Sequence, residues 1–137
     1  MAVSMTGEYT GGLKMRLVHG PSGADLRTAA PLDNQGDGSS FSPTDLVAAA
    51  LGACMITTMA IVAEREGIPF AAGGFEAEKH MRSTPRRIDR IPVRIHLPPG
   101  LDPEQRATLQ RAALGCPVHA SLHPEVRIDL EFVEGEG

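Results

Sequence analysis

Tryptophan is absent from this chain, tyrosine occurs once and phenylalanine four times in 137 residues. So thin an aromatic content argues against a base-stacking platform for single-stranded nucleic acid. Positive charge is also short: 13 Lys and Arg stand against 17 Asp and Glu, a formal net charge of −4. No nucleic-acid partner is expected, because such a footprint needs a clustered basic face. The short basic cluster of Arg82, Arg86 and Arg87 reads as a solvated strand end. Two cysteines are too few for a disulfide framework. The opening residues, MAVSMTGEYTGG, lack a basic segment followed by an apolar one. The default reading is therefore cytoplasmic, with thiols that are free or redox-active.

Several chemistries lack their motif. The segment GDGSS, residues 36–40, precedes a helix but has neither the lysine nor the buried strand of a phosphate loop. No Gly-x-Ser-x-Gly elbow occurs. Cys116 and His119 are spaced as half a metal site, yet His80, His96 and His123 stand alone. Zinc wants about four compact ligands, so neither metal nor cofactor is expected. The uncharged stretch from Leu46 to Ala63 reaches the lower length limit for a membrane span. Its Ala, Gly, Thr and Cys contribute little to insertion. A helix enclosed by protein fits better, and no membrane partner is expected.

What is present reads as one α+β domain over residues 1–137, with an antiparallel sheet. Gly11-Gly12 signals a two-residue hairpin turn. A third short strand follows around Ala24 to Ala29, and the turn-forming run PLDNQGDGSSF reads as a mobile loop. A long helix opens at Ser42, with Pro43 in its first turn and Asp45 three residues after the cap. It closes at Gly67, with Pro69 beyond,. Three period-two segments lie around Phe75–Arg82, Ile91–Leu97 and Val126–Phe132, each a strand with one wet and one buried face. Between the last two, Asp102, Pro103 and Gln105 start a helix that Gly115 stops, and Cys116-Pro117 opens another,. The long helix is apolar almost all round, more than one small sheet covers. Ala48, Gly52 and Ala49, Ala53 at i, i+4 spacing would admit a second helix, most simply from another copy of the chain.

Cysteine is the one distinctive chemistry left. Cys54 lies about three turns into the long helix, beyond the reach of the helix-start dipole, and packs like a small hydrophobe unless it reacts. Cys116 precedes Pro117 at a helix start, where the dipole would favour thiolate. It reads either as a turn cysteine or as the more acidic thiol.

At these residues the chain resembles the OsmC/Ohr family of osmotically inducible and organic-hydroperoxide-resistance proteins. The resemblance is carried by FSPTDLVAAALGACM and LGCPVHASL, and the element order agrees over nearly all of the chain. It implies an intertwined homodimer, with sheets wrapping long central helices. It also implies a thiol peroxidase in which Cys54 attacks an organic hydroperoxide and becomes sulfenic acid. Cys116 then resolves it as a disulfide, and a dithiol, of lipoyl type in one branch, reduces that bond. The alternative is a non-catalytic ligand-binding or redox-sensing dimer. Peroxidase branches carry an arginine after the N-terminal Gly-Gly, where this chain has Leu13. They carry a glutamate after the helix-start proline, where it has Thr44, with Asp45 one step later and so about 100° further round the helix. The general OsmC-like branch is the closer likeness, and Arg16 or Arg27 are the candidate replacements for the arginine.

Overall fold

The computed structural model describes residues 1–71 and 73–134,. The chain divides into two compact units, Met1–Leu46 and Val47–Gly137.

The first unit is built on a three-stranded antiparallel sheet of β1 (Met5–Gly11), β2 (Lys14–His19) and β3 (Asp25–Ala29), in that order. Cross-strand register pairs Tyr9 with Met15, Gly7 with Leu17 and Leu17 with Leu26. Because side chains alternate along a strand, those apolar residues share one face with Met5. Glu8, Arg16 and Arg27 line up on the other, again as direct partners.

The hairpin turn sits one residue later than Gly-Gly suggests. Gly12 and Leu13 occupy it, both with positive φ (64° and 62°), as a primed turn requires. A bulge between Tyr9 and Gly11 makes the shift. Leu13 adopts a conformation that leucine disfavours. Its N–H donates to Tyr9 Oη at 3.2 Å and its carbonyl accepts from Ala30 N at 3.0 Å.

The Pro31–Phe41 segment is a pinned strap rather than an open loop. It holds a 3-10 turn at Leu32–Asn34, hydrogen bonds from Gly36 N to Pro31 O and Gly38 N to Ala30 O, and the ion pair Lys14–Asp37 at 2.9 Å. A Cβ on Gly36 would fall 1.8 Å from the Ala30 carbonyl oxygen, so the strap needs glycine there. Hydrogen bonds from Ser39, and then Lys14, hold the Asp37 carboxyl well below the usual carboxylate range.

Helix α1 (Pro43–Glu66) begins in the first unit and runs on through the second. Ser42 N donates to Asp45 Oδ2 at 2.8 Å, and Asp45 N donates to Ser42 Oγ at 3.1 Å, a reciprocal cap as anticipated. Gly67, with φ 68°, ends it, and Ile68 N returns to Ala63 O at 2.8 Å,. The helix is long and apolar enough to cross a membrane. Here Leu51, Met55, Met59 and Ala63 are fully buried within the second unit.

That unit's sheet is organised by β6 (Arg86–Leu97), with β4 (Gly74–Ala77) and β5 (His80–Ser83) antiparallel to it. The expected single strand Phe75–Arg82 is broken in two. Opposite the break lies Pro92, which has no N–H to give the ladder; its carbonyl accepts from Glu78 N at 3.1 Å. The buried residues Ile91, Val93, Ile95 and Leu97 are those the period-two pattern selects.

The sheet is not wholly antiparallel. β7 (Arg127–Glu134) runs parallel to β6, because the chain returns through α2 (Pro103–Leu114) and α3 (Pro117–Ser121). A crossover of that length delivers a parallel strand. Asp102 and Gln105 form a complete capping box on α2. The small-residue pair Ala48 and Gly52 is spent inside the chain, since a Cβ on Gly52 would lie 2.3 Å from the Phe75 ring. The outward line of α1 is Ala50, Ala53, Thr57 and Ile61.

Candidate functional site

Both cysteines belong to the second unit and both are free. Cys54 projects from the middle of α1 at a half-buried position, while Cys116 is 0% exposed. They are neighbours, close enough for Cys54 to push the Cys116 thiol pKa up, although 62 residues of sequence separate them.

Cys116 is the N-cap of α3, with φ −68° and ψ 145°. Its Sγ accepts from the His119 amide at 3.4 Å, and its carbonyl accepts from Ala120 N at 3.1 Å. A helix start by itself favours thiolate. The structure corrects that. Burial is the largest influence and pushes the Cys116 thiol up from its ordinary value, and the neighbouring Cys54 adds to it. The amides of His119 and Val118 pull the other way without prevailing. Desolvation penalises the charged form throughout the surroundings, whereas a five-residue helix offers only two amides. Cys116 is the protonated, sheltered thiol of the pair, and Cys54 the one a reagent can reach.

The four supporting candidates lie in the first unit. Thr44 Oγ1 stands 3.2 Å from Ser42 Oγ, and Asp45 is engaged in the Ser42 cap. Arg16 Nε donates to Asp25 Oδ2 at 3.1 Å. Arg27 is the direct cross-strand partner of Arg16, and its carbonyl accepts from Ser40 Oγ at 3.1 Å. Leu13 forms the hairpin corner. Sequence reasoning missed the His119 and Val118 amides, which act through backbone and leave no residue-type signal. It also missed Phe75, whose ring fills the space over Gly52.

A helix-borne thiol facing a capping thiol, on a sheet-and-helix scaffold, defines a class of two-cysteine α+β proteins. The family model for OsmC-like protein matches residues 36–131, and the chain belongs to that family. A putative osmotic stress induced and detoxification response protein from Psychrobacter arcticus is similar in structure, at 35% identity, 94% coverage of each chain and a TM-score of 0.89. The organic hydroperoxide resistance protein OsmC from Legionella pneumophila shares the fold at 22% identity, 96% coverage of each chain and a TM-score of 0.74. So does the organic hydroperoxide resistance protein OhrB of Bacillus subtilis, at 20% identity, with 97% of this chain and 98% of that one covered and a TM-score of 0.70. No curated protein matches.

Proposed function

We propose that this OsmC-family protein is a thiol peroxidase for organic hydroperoxides. One observation carries the reading: a partly exposed thiol on α1 neighbours a buried thiol at the start of α3. Cys54 as thiolate attacks the terminal peroxide oxygen, the O–O bond breaks, and the alcohol leaves after taking a proton. The resulting Cys54 sulfenic acid is attacked by Cys116, which expels water and closes a disulfide. A dithiol then reduces that bond by exchange. Dividing the reaction between two sulfurs turns one hard step into easier ones. The setting is the cytoplasm, where both thiols rest reduced.

Assembly is part of the proposal. Met5, Tyr9 and Leu26 on one face of the first sheet are 68%, 60% and 45% exposed, and α1 turns Ile61 outward. Apolar surface on both is unusual for a monomer. A second copy, in an intertwined homodimer with the long helices at its centre, would cover both. The alternative of a non-catalytic binding or sensing dimer draws on Asp45, whose carboxylate is engaged in capping Ser42.

The test is intact mass after one equivalent of cumene hydroperoxide. The wild type should lose about two hydrogens and both free thiols, the signature of a disulfide. Cys54→Ser should not react, and Cys116→Ser should react once and stop at sulfenic acid or beyond. Two free thiols surviving minutes of excess peroxide would leave only the non-catalytic reading.

A further inference from the structure

The cysteine that caps helix α3, Cys116, holds it in part. Helix α3 has five residues, too few to be stable alone. Three features secure it. The Cys116 Sγ accepts from the His119 amide at 3.4 Å, Ser121 Oγ donates to the Pro117 carbonyl at 2.8 Å, and Val118 with Leu122 packs partly buried against the core. The same sulfur neighbours the Cys54 thiol, which raises its pKa. A single atom therefore serves both as helix cap and as half of the thiol pair.

We propose that α3 is a redox-responsive flap, docked while both thiols are free and loosened when the Cys116 sulfur is drawn into a bond with Cys54. The inference rests on reading these cysteines as a bonding pair. Closing the disulfide shortens a non-bonded contact to about 2.05 Å, so the sulfurs must move together by roughly an ångström or more. The two sides are unequal. Cys54 is anchored within a 24-residue helix whose inner line is fully buried, whereas Cys116 begins a five-residue one. The movement falls on the softer element. It draws Sγ away from the His119 amide that it caps at 3.4 Å. The functional gain is access. With α3 docked only the Cys54 side is reachable; with α3 loose, a dithiol can approach Cys116 as well.

Bond formation needs an oxidant. An organic hydroperoxide takes two electrons from the thiols and leaves as alcohol and water. Diamide takes the same two electrons and two protons into its N=N bond, without any peroxidase step. Amide exchange would be followed by NMR in reduced, peroxide-treated and diamide-treated protein, with intact mass reporting the disulfide. In the disulfide form His119 and Ala120 should exchange roughly two- to tenfold faster, as expected for a weakened N-cap, while Leu109 within α2 should hold its rate. In Cys116→Ser, where the hydroxyl caps and no disulfide forms, diamide should leave the same amides unchanged.

Unchanged exchange at His119 and Ala120 in verified disulfide would overturn the flap. So would acceleration shared equally by α2, an equal response in Cys116→Ser, or failure of both oxidants to close the bond. Faster exchange after diamide, with no disulfide after peroxide, would uphold the flap and remove the peroxidase reading instead.

Discussion

The two units of this chain solve the burial problem differently. Among the described residues, all the buried hydrophobics except Ala29 lie in Val47–Gly137, and eight of the ten exposed large ones lie in Met1–Leu46. The second unit has helices to lay over its sheet, and Leu51, Met55, Ile91, Ile95 and Leu109 meet in one core. The first has strands, a strap and turns, all held by backbone hydrogen bonds and none wide enough to cover an apolar sheet face. Regular secondary structure and a hydrophobic core are thus separable. A sheet can be fully hydrogen-bonded while its apolar face still waits for a partner.

Cavity formation should separate the units most strongly. Leu51→Ala removes a fully buried side chain and should cost about 2–5 kcal/mol, read as a lower denaturant midpoint. Leu26→Ala, at an exposed position in the first sheet, should cost far less in a dilute monomer. Equal losses would erase the contrast.

Overpacking comes next. Gly52→Leu forces a side chain into the Phe75 ring and should destabilise by about 1–3 kcal/mol. If the proposed dimer is the wild-type state, this loss should appear even in a variant that cannot dimerise. An effect seen solely in the dimer would place the Gly52 contact between chains.

A charge on the first unit's apolar face should act on assembly instead. Tyr9→Glu should lower the molar mass seen by light scattering at micromolar concentration, with the circular dichroism of the helices retained. An unchanged mass would show that this face is not the one a partner covers.

The smallest expected effect is on pH dependence. The Cys116 pKa is raised in the folded state, so the buried thiol adds stability that is fully present below the unfolded value, about 8.5. That contribution is lost as pH rises through the folded value. Thermal stability of the reduced protein should decline above about pH 8.5, and less steeply in Cys116→Ser. An identical alkaline decline in the variant would deny Cys116 that role.

Much of this was legible in residue order. Ser42, Pro43 and Gly67 bound α1 because capping is local chemistry, satisfied within four residues of the helix end. Asp102 and Gln105 do the same for α2. The alternation of Ile91, Val93, Ile95 and Leu97 marked the central strand because side chains alternate faces whatever the strand pairs with. The pairing of Cys54 with Cys116 entered only by likeness to a family, since nothing in a 62-residue separation implies contact.

Tertiary structure decided the rest, wherever the cause lay far away in sequence. Pro92 split the strand opposite it, the helical crossover turned β7 parallel, and Phe75 claimed the space over Gly52. It also reversed the acidity assigned to Cys116. Local sequence announces a helix start and its dipole, but desolvation depends on every neighbour that excludes water, and those neighbours exist only once the chain has folded.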